Sequence, residues 1–437
     1  LSSKLLNVLL ILPLVLKNFN ENDTAVYFLL ITITATIAIA DFGFKNTFVR
    51  IISYARAGVT AENFLNNKIN NELEENINWN FFSQIELVMK KVYLFISIIL
   101  SVILVVYSYE SRDDSVVFKS VDSNYILLWS IFIFSSAVNL YGRQYTCVLE
   151  GMNEIALLKR VEAIYSYIAT LTKLIVIILY PSIVLLIIVE KVWLIINAIR
   201  NYNYSKKITK KNYISKANNK YQNNLLLRVV SLAWRSGISN FISMGILNFT
   251  GIFYSNIGNL KSVNSYLFAL RIINFIRDFS KVPFYCKLPL FNSLRATGKI
   301  LDLAMIAKTR MFFSSFLFMT ICLMTCIFAD SILKIIGSNV FFVDIELWLF
   351  LVIATMIQRY SAMHMQIYLT TNHVINHILD SIGGIIFVIV CSLVFENCNL
   401  YAFPISIIIS QLLCHIWICP LLSIKSLKMK FFDFDKY

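Results

Sequence analysis

Charge is what this chain has least of. Charged residues make up 15% of its 437 positions and hydrophobic ones 58%, whereas soluble proteins carry roughly 25% charged residues. That balance excludes a soluble globular domain and gives a membrane protein. The short alternating strands of an outer-membrane barrel are also missing, so the spanning elements are helices. No phosphate-binding glycine loop, nucleophile elbow or metal-ligand cluster is present. ATP use, catalysis and a cofactor are therefore not indicated, and no enzyme is expected. The eight cysteines show no paired metal-ligand spacing beside histidine. Cys147, Cys286, Cys322, Cys326, Cys391, Cys414 and Cys419 lie in or near apolar runs and read as small buried hydrophobes, and Cys398 has no external partner, so no structural disulfide is implied.

What is present is a series of apolar runs near or above the roughly 20 residues that cross a hydrocarbon core as helix. They lie at 1–18, 26–48, 92–109, 123–147, 161–180, 182–200, 229–256, 263–290, 311–329, 345–369, 374–395 and 399–421, which is about twelve transmembrane helices. With the amino terminus inside, cytoplasmic segments hold 27 of the 39 basic residues and external loops hold 5. Lysine and arginine are retained on the cytoplasmic side, which places both termini there. The formal charge of +14 belongs mostly to these inner loops, facing anionic lipid, rather than to a nucleic-acid site. The stretch RNYNYSKKITKKNYISKANNKY reads as a basic cytoplasmic linker, 201–222, between lobes 1–200 and 223–437.

Internal echoes set the architecture. Tyr27 in AVYFLLITI stands 239 positions before Tyr266 in SYLFALRII, and the same offset places Arg56 of SYARAG opposite Arg295 of SLRATG. LEGMNEI at 149–155 resembles LTTNHVI at 369–375. Two six-helix lobes in parallel repeat are expected. The offset sets Leu1 opposite Asn240, so a truncated first helix is also expected.

The seven remaining cations, Lys173, Lys191, Arg235, Arg271, Arg277, Lys281 and Arg359, fall inside spans. Arg271, Asn274, Arg277, Asp278 and Lys281 share an arc of about 120° on one helix. Facing lipid, that arc would cost several kcal/mol per charge, so it faces a wet cavity or another polar helix. Three cations against one carboxylate suit an anion such as pyrophosphate; alternatively, Asp278 and nearby carbonyls satisfy Arg277 and Lys281 as structural glue. Pro283 and Pro289 bend the same span. Arg235 and Lys173 either reach the cavity or snorkel to an interface. Asp41, in ADFGFKNTFVR, lies about 22 Å into its span. It either pairs with Lys45 four residues on or serves a gate or ion coupling with Arg50. His415 is packed rather than relaying protons, and Gly383 with Gly384 lets helices approach closely.

The ADFG segment, the VLEGMNE turn and the PFYCKLPLFNSLRATGK exit resemble the polysaccharide and O-antigen flippases of the multidrug, oligosaccharidyl-lipid and polysaccharide exporter superfamily. The resemblance implies a V-shaped, all-helical pair of lobes around a central cavity in the bacterial inner membrane. It implies flipping of an undecaprenyl-pyrophosphate-linked oligosaccharide by alternating access. Membrane lipids, a polysaccharide polymerase and a chain-length regulator are the implied partners. The substrate-binding residues are then Arg271, Asn274, Arg277, Lys281, Arg235 and Lys173, with Asp41, Arg50 and Asp278 for the gate or coupling. Two other classes remain open. A cation-coupled multidrug exporter shares the plan and could couple through Asp41. A membrane glycosyltransferase would draw on Asp113 and Asp114 in the short external loop SYESRDDSVVFKSV. A polymerase would need a longer external loop than any present.

Overall fold

The computed structural model describes residues 10–39, 41–65, 77–114, 125–209, 222–371 and 375–427, and among these it is helical, with no strand. The chain forms two compact units, 1–240 and 241–437. The helices are α1 (Leu12–Asn18), α2 (Glu21–Ile39), α3 (Phe44–Arg56), α4 (Ala61–Leu65), α5 (Trp79–Asp114), α6 (Tyr125–Gly151), α7 (Ile155–Leu179), α8 (Ile183–Thr209) and α9 (Gln222–Ile257). They continue as α10 (Leu260–Ser280), α11 (Val282–Tyr285), α12 (Leu288–Ala296), α13 (Ile300–Ile336), α14 (Ile345–Leu369) and α15 (Asn376–Cys398). After a short 3₁₀ segment, α16 (Ala402–Ser410) passes through a π-helical turn (Gln411–His415) into α17 (Ile416–Ser426).

The described parts of the apolar runs fall on helices, and run 345–369 coincides with α14. Seven helical stretches among the described residues are long and apolar enough to cross a membrane, so the protein is a multi-pass membrane protein. The lipid-facing side is visible on α5. Phe95, Ile98, Val102 and Val105 are exposed, whereas Tyr93, Leu100 and Leu104 pack inward. Residues 1–9, with the expected truncated start, and 210–221, most of the basic linker, lie outside the described residues. Residues 201–209 belong to α8 rather than to a linker, because the helix continues through Arg200. The boundary between the compact units falls inside α9. Leu225 and Val229 near its start are fully buried among Phe48, Ile52, Phe81 and Met89, which ties that end to the first unit.

Two predicted runs, 26–48 and 263–290, are broken helices. In the first, Phe42 (φ 45°) and Gly43 (φ 71°) take the left-handed conformation between α2 and α3, which glycine adopts without steric cost. Gly237 of α9 lies directly on the backbone of Phe42, where a Cβ would collide with it. In the second, Pro283 and Pro289 occupy the first turns of α11 and α12, where their missing N–H costs nothing. Helices α3 and α12 then end alike. Ala57, Gly58 and Val59 donate to Ser53, Ala55 and Tyr54 as Thr297, Gly298 and Lys299 donate to Ser293, Arg295 and Leu294. Gly58 and Gly298 are both left-handed, at φ 85° and 73°. Tyr27 and Tyr266, the residues that set the repeat, are both fully buried.

Candidate functional site

A broken helix leaves carbonyls without their i+4 donors. In the first unit Arg143 of α6 crosses to the break, its Nη1 donating to the Ala38 carbonyl at 2.9 Å and standing 3.8 Å from Asp41 Oδ1. Asp41 is buried, and its Oδ2 accepts the Lys45 backbone N–H at 2.8 Å at the start of α3. A carboxylate there also meets the positive end of the helix dipole. The Lys45 ammonium turns away to Glu150 Oε1 at 2.8 Å. The expected side-chain pairing of Asp41 with Lys45 is thus replaced by two pairs that link the ADFG segment to α6, because the break lets residues 41 and 45 leave a common helical face. Arg50 is exposed on α3.

Beside this junction lies a cleft of about 780 Å³ lined by α2, α3, α6, α7 and α8. Its walls carry Lys45, Arg143, Lys159 and Arg200 against a single lining carboxylate, Glu162, which pairs with Lys159 at 2.8 Å. Arg200 is only 5% exposed. Its Nε and Nη2 donate to Asn201 Oδ1 at 3.0 and 2.8 Å, and its Nη1 donates to Asn197 Oδ1 at 2.8 Å. Asn201 is itself anchored on Thr146 at 3.2 Å, and the guanidinium lies 4.8 Å from the Tyr165 ring. Neutral amides therefore orient this arginine without cancelling its charge, and one N–H on each terminal nitrogen is left over from its five donors. Sequence reasoning missed Arg143 and Arg200 because both sit at span ends, where they count as inner-loop charge. The legible signal was the spacing of Asn197, Arg200 and Asn201, which puts three polar side chains on one face of α8.

The predicted residues distribute differently. Lys173 sits 3.7 Å from Glu190, and Lys191 donates to Thr34 Oγ1 at 2.7 Å while lying 4.0 Å from the Phe132 ring. Both are buried and line no part of the cleft. Arg235 is exposed beside Trp234. In the second unit Lys281 is held by Asp278 at 2.7 Å, and Asn274 donates to Asn248 at 3.2 Å. Arg271 is half-buried. The half-buried Arg277 guanidinium makes no hydrogen bond to any described residue. Arg359, 6% exposed, donates to the Arg277 carbonyl (2.9 Å), Ser280 Oγ (2.6 Å), and the carbonyl and hydroxyl of Ser314 (3.1 and 2.7 Å). No group of three or more metal-ligating side chains occurs among the described residues.

No protein-family model and no curated protein sequence matches the chain. Solved structures do. An inward-facing multidrug resistance MATE family transporter of the MOP superfamily superposes with TM-score 0.65 at 10% identity, over 97% of this chain and 94% of that one. The lipid II flippase MurJ in an inward closed conformation gives 0.61 at 12%, over 99% and 89%. The Vibrio cholerae MATE transporter VcmN in its bent form gives 0.54 at 13%, over 98% and 95%. At such identities the likeness shows the fold, an all-helical two-unit membrane fold that drug exporters and a lipid flippase share.

Proposed function

We propose that the protein is a flippase that carries a lipid-pyrophosphate-linked oligosaccharide, an O-antigen or capsule-type repeat unit on undecaprenyl, across the bacterial inner membrane by alternating access. The cleft of the first unit carries this reading, since it sets four cations against one lining carboxylate and holds Arg200 by asparagines alone. Buried guanidinium donors that keep their charge suit a pyrophosphate, which accepts paired N–H bonds. Arg277, with Arg271 and Asn274 on the same arc, forms a second anion contact in this reading. Asp41 with Arg143 forms the gate, with Arg50 at its margin. Both termini and the basic stretch 201–222 are cytoplasmic, and a polymerase and chain-length regulator act on the product.

A cation-coupled drug exporter is the second reading, favoured by the MATE transporters among the fold neighbours. It needs a carboxylate available to a cation, whereas Asp41 is committed to the α3 N-terminus and to Arg143.

The test is transport by purified protein in liposomes, with undecaprenyl-pyrophosphate-linked N-acetylglucosamine and ethidium as rival substrates. The expected result is transport of the lipid, lost about tenfold or more in Arg200→Ala at normal abundance and partly restored in Arg200→Lys. Ethidium transport without lipid transport, or a fully active Arg200→Ala, overturns the flippase reading.

A further inference from the structure

The first unit contains a second cavity, near the start of α5 and the ends of α6 and α8, which shares no lining residue with the cleft. It encloses about 270 Å³ between the three helices. Glu86 and Lys90 of α5 line it, paired at 2.7 Å one helical turn apart. Tyr145 of α6 and Tyr202 of α8 form its aromatic wall and meet edge to face, with ring centroids 5.0 Å apart. Lys206 of α8 is exposed at its rim, its ammonium 4.5 Å from the Tyr202 ring and in no ion pair among the described residues. Gln144 of α6 also lines the cavity and is 1% exposed. Its Nε2 donates to the Tyr141 carbonyl at 3.1 Å, and its Oε1 has no hydrogen-bond partner among the described residues.

The molecular surface changes character at this level. Along α5, Leu94, Phe95, Ile98, Ile99 and Val102 are exposed, which marks the side that faces hydrocarbon, and Lys90 and Lys91 come just before them. Lys90 stands about 7.5 Å before Phe95 along the helix axis, comparable with a headgroup layer of roughly 5–8 Å. On α8 the exposed Ile199 gives way to Tyr202 and then to Lys206 and Lys207. Aromatic rings beside lysines are the pattern of a membrane–water interface. The cavity therefore lies at headgroup depth. Lysines that merely snorkel to the interface need no cavity between three helices.

We infer that this cavity binds the headgroup of an anionic phospholipid, phosphatidylglycerol, as a defined site distinct from the loose lipid annulus. Lys90 and Lys206 against Glu86 leave a net positive charge that matches the single negative charge of a phosphodiester. Lys206, held by no carboxylate, is the phosphate contact. Lys90, bridged to Glu86, supports it. The Tyr145 and Tyr202 rings, apolar in body and polar at the hydroxyl, line the passage from acyl chain to headgroup. The headgroup glycerol carries hydroxyl donors of the kind that Gln144 Oε1 lacks, and a choline headgroup carries none. Basic pockets between transmembrane helices bind anionic headgroups by the same physics. The inference holds whichever substrate the protein transports.

The test is lipid binding to the intact protein in detergent, followed by native mass spectrometry as dioleoylphosphatidylglycerol, dioleoylphosphatidylcholine or inorganic phosphate is titrated in. One phosphatidylglycerol should stay bound, about fivefold or more tighter than phosphatidylcholine, which is the effect of one lysine near a membrane surface. Lys206→Ala should remove that preference. Lys207→Ala, which changes the adjacent exposed lysine that does not line the cavity, should leave it intact. Lys206→Gln gives the same reading should Lys206→Ala fail to accumulate. Equal loss in the Lys206 and Lys207 variants would mean attraction to the basic surface as a whole and overturns the site. Equal affinity for the two lipids, or displacement of the lipid by millimolar inorganic phosphate, overturns it as well.

Discussion

In the first unit the second helix breaks by turning Phe42 and Gly43 left-handed, and in the second unit the corresponding helix breaks by placing Pro283 and Pro289 at the starts of short segments. In each an arginine crosses to a carbonyl at the break: Arg143 of α6 to Ala38, and Arg359 of α14 to Arg277. The accepting residues stand at the offset that relates Tyr27 to Tyr266. Their surroundings differ. Arg359 adds two serine hydroxyls and a second carbonyl, and it lies 4.7 Å from the Phe318 ring. Arg143 keeps 19% of its side chain exposed, faces Asp41, and forms part of a polar cleft. One unit has sealed the break into its core, and the other has left it beside a polar cleft. The same chemical element thus serves as structure where it is dry and as a candidate site where it is wet.

Removing Arg359 should break this comparison most severely. Arg359→Ala leaves two carbonyls and two serine hydroxyls without their charged donor and opens a void, a loss on the order of 3–5 kcal/mol. The expected outcome is poor membrane abundance and a markedly lower thermal midpoint in detergent. Gly237→Ala comes next, at about 1–3 kcal/mol, because the new methyl meets the fixed backbone of Phe42 rather than a movable side chain. A thermal midpoint equal to wild type would show that the break can shift to accommodate it.

Arg143→Ala should cost less, about 1 kcal/mol, since Asp41 keeps the Lys45 N–H and its 3.8 Å approach to Arg143 is too long for a hydrogen bond. Its larger effect should be on lipid transport. Equal destabilisation by Arg143→Ala and Arg359→Ala would erase the distinction drawn between sealed and open breaks. The smallest effect expected is the coupling between Lys45 and Glu150, about 0.5–1 kcal/mol in a double-mutant cycle, because both side chains are partly exposed. A cycle on Asp41 and Lys45 side chains, using Asp41→Asn and Lys45→Met, should give a value near zero. Full rescue of transport by that double variant would restore the simple pairing instead.

Composition and hydropathy were enough to determine a helical, multi-pass membrane protein, because solvation by a bilayer acts on each segment independently of its partners. The prolines of the second break were legible for the same reason, since a missing N–H is a property of the residue. What each charge does was decided by the tertiary structure. Lys281 and Asp278 on one helical arc could be read as ligand contacts until their mutual pairing was seen, and Lys45 could be given to Asp41 until the break turned it toward Glu150, more than a hundred residues away. Arg143 and Arg200 count as inner-loop charge in sequence, and only the packing of α6, α7 and α8 brings them to one cleft. A charge takes its role from what lies within a few ångströms of it, and in a bundle of long helices those neighbours come from segments that no local pattern connects.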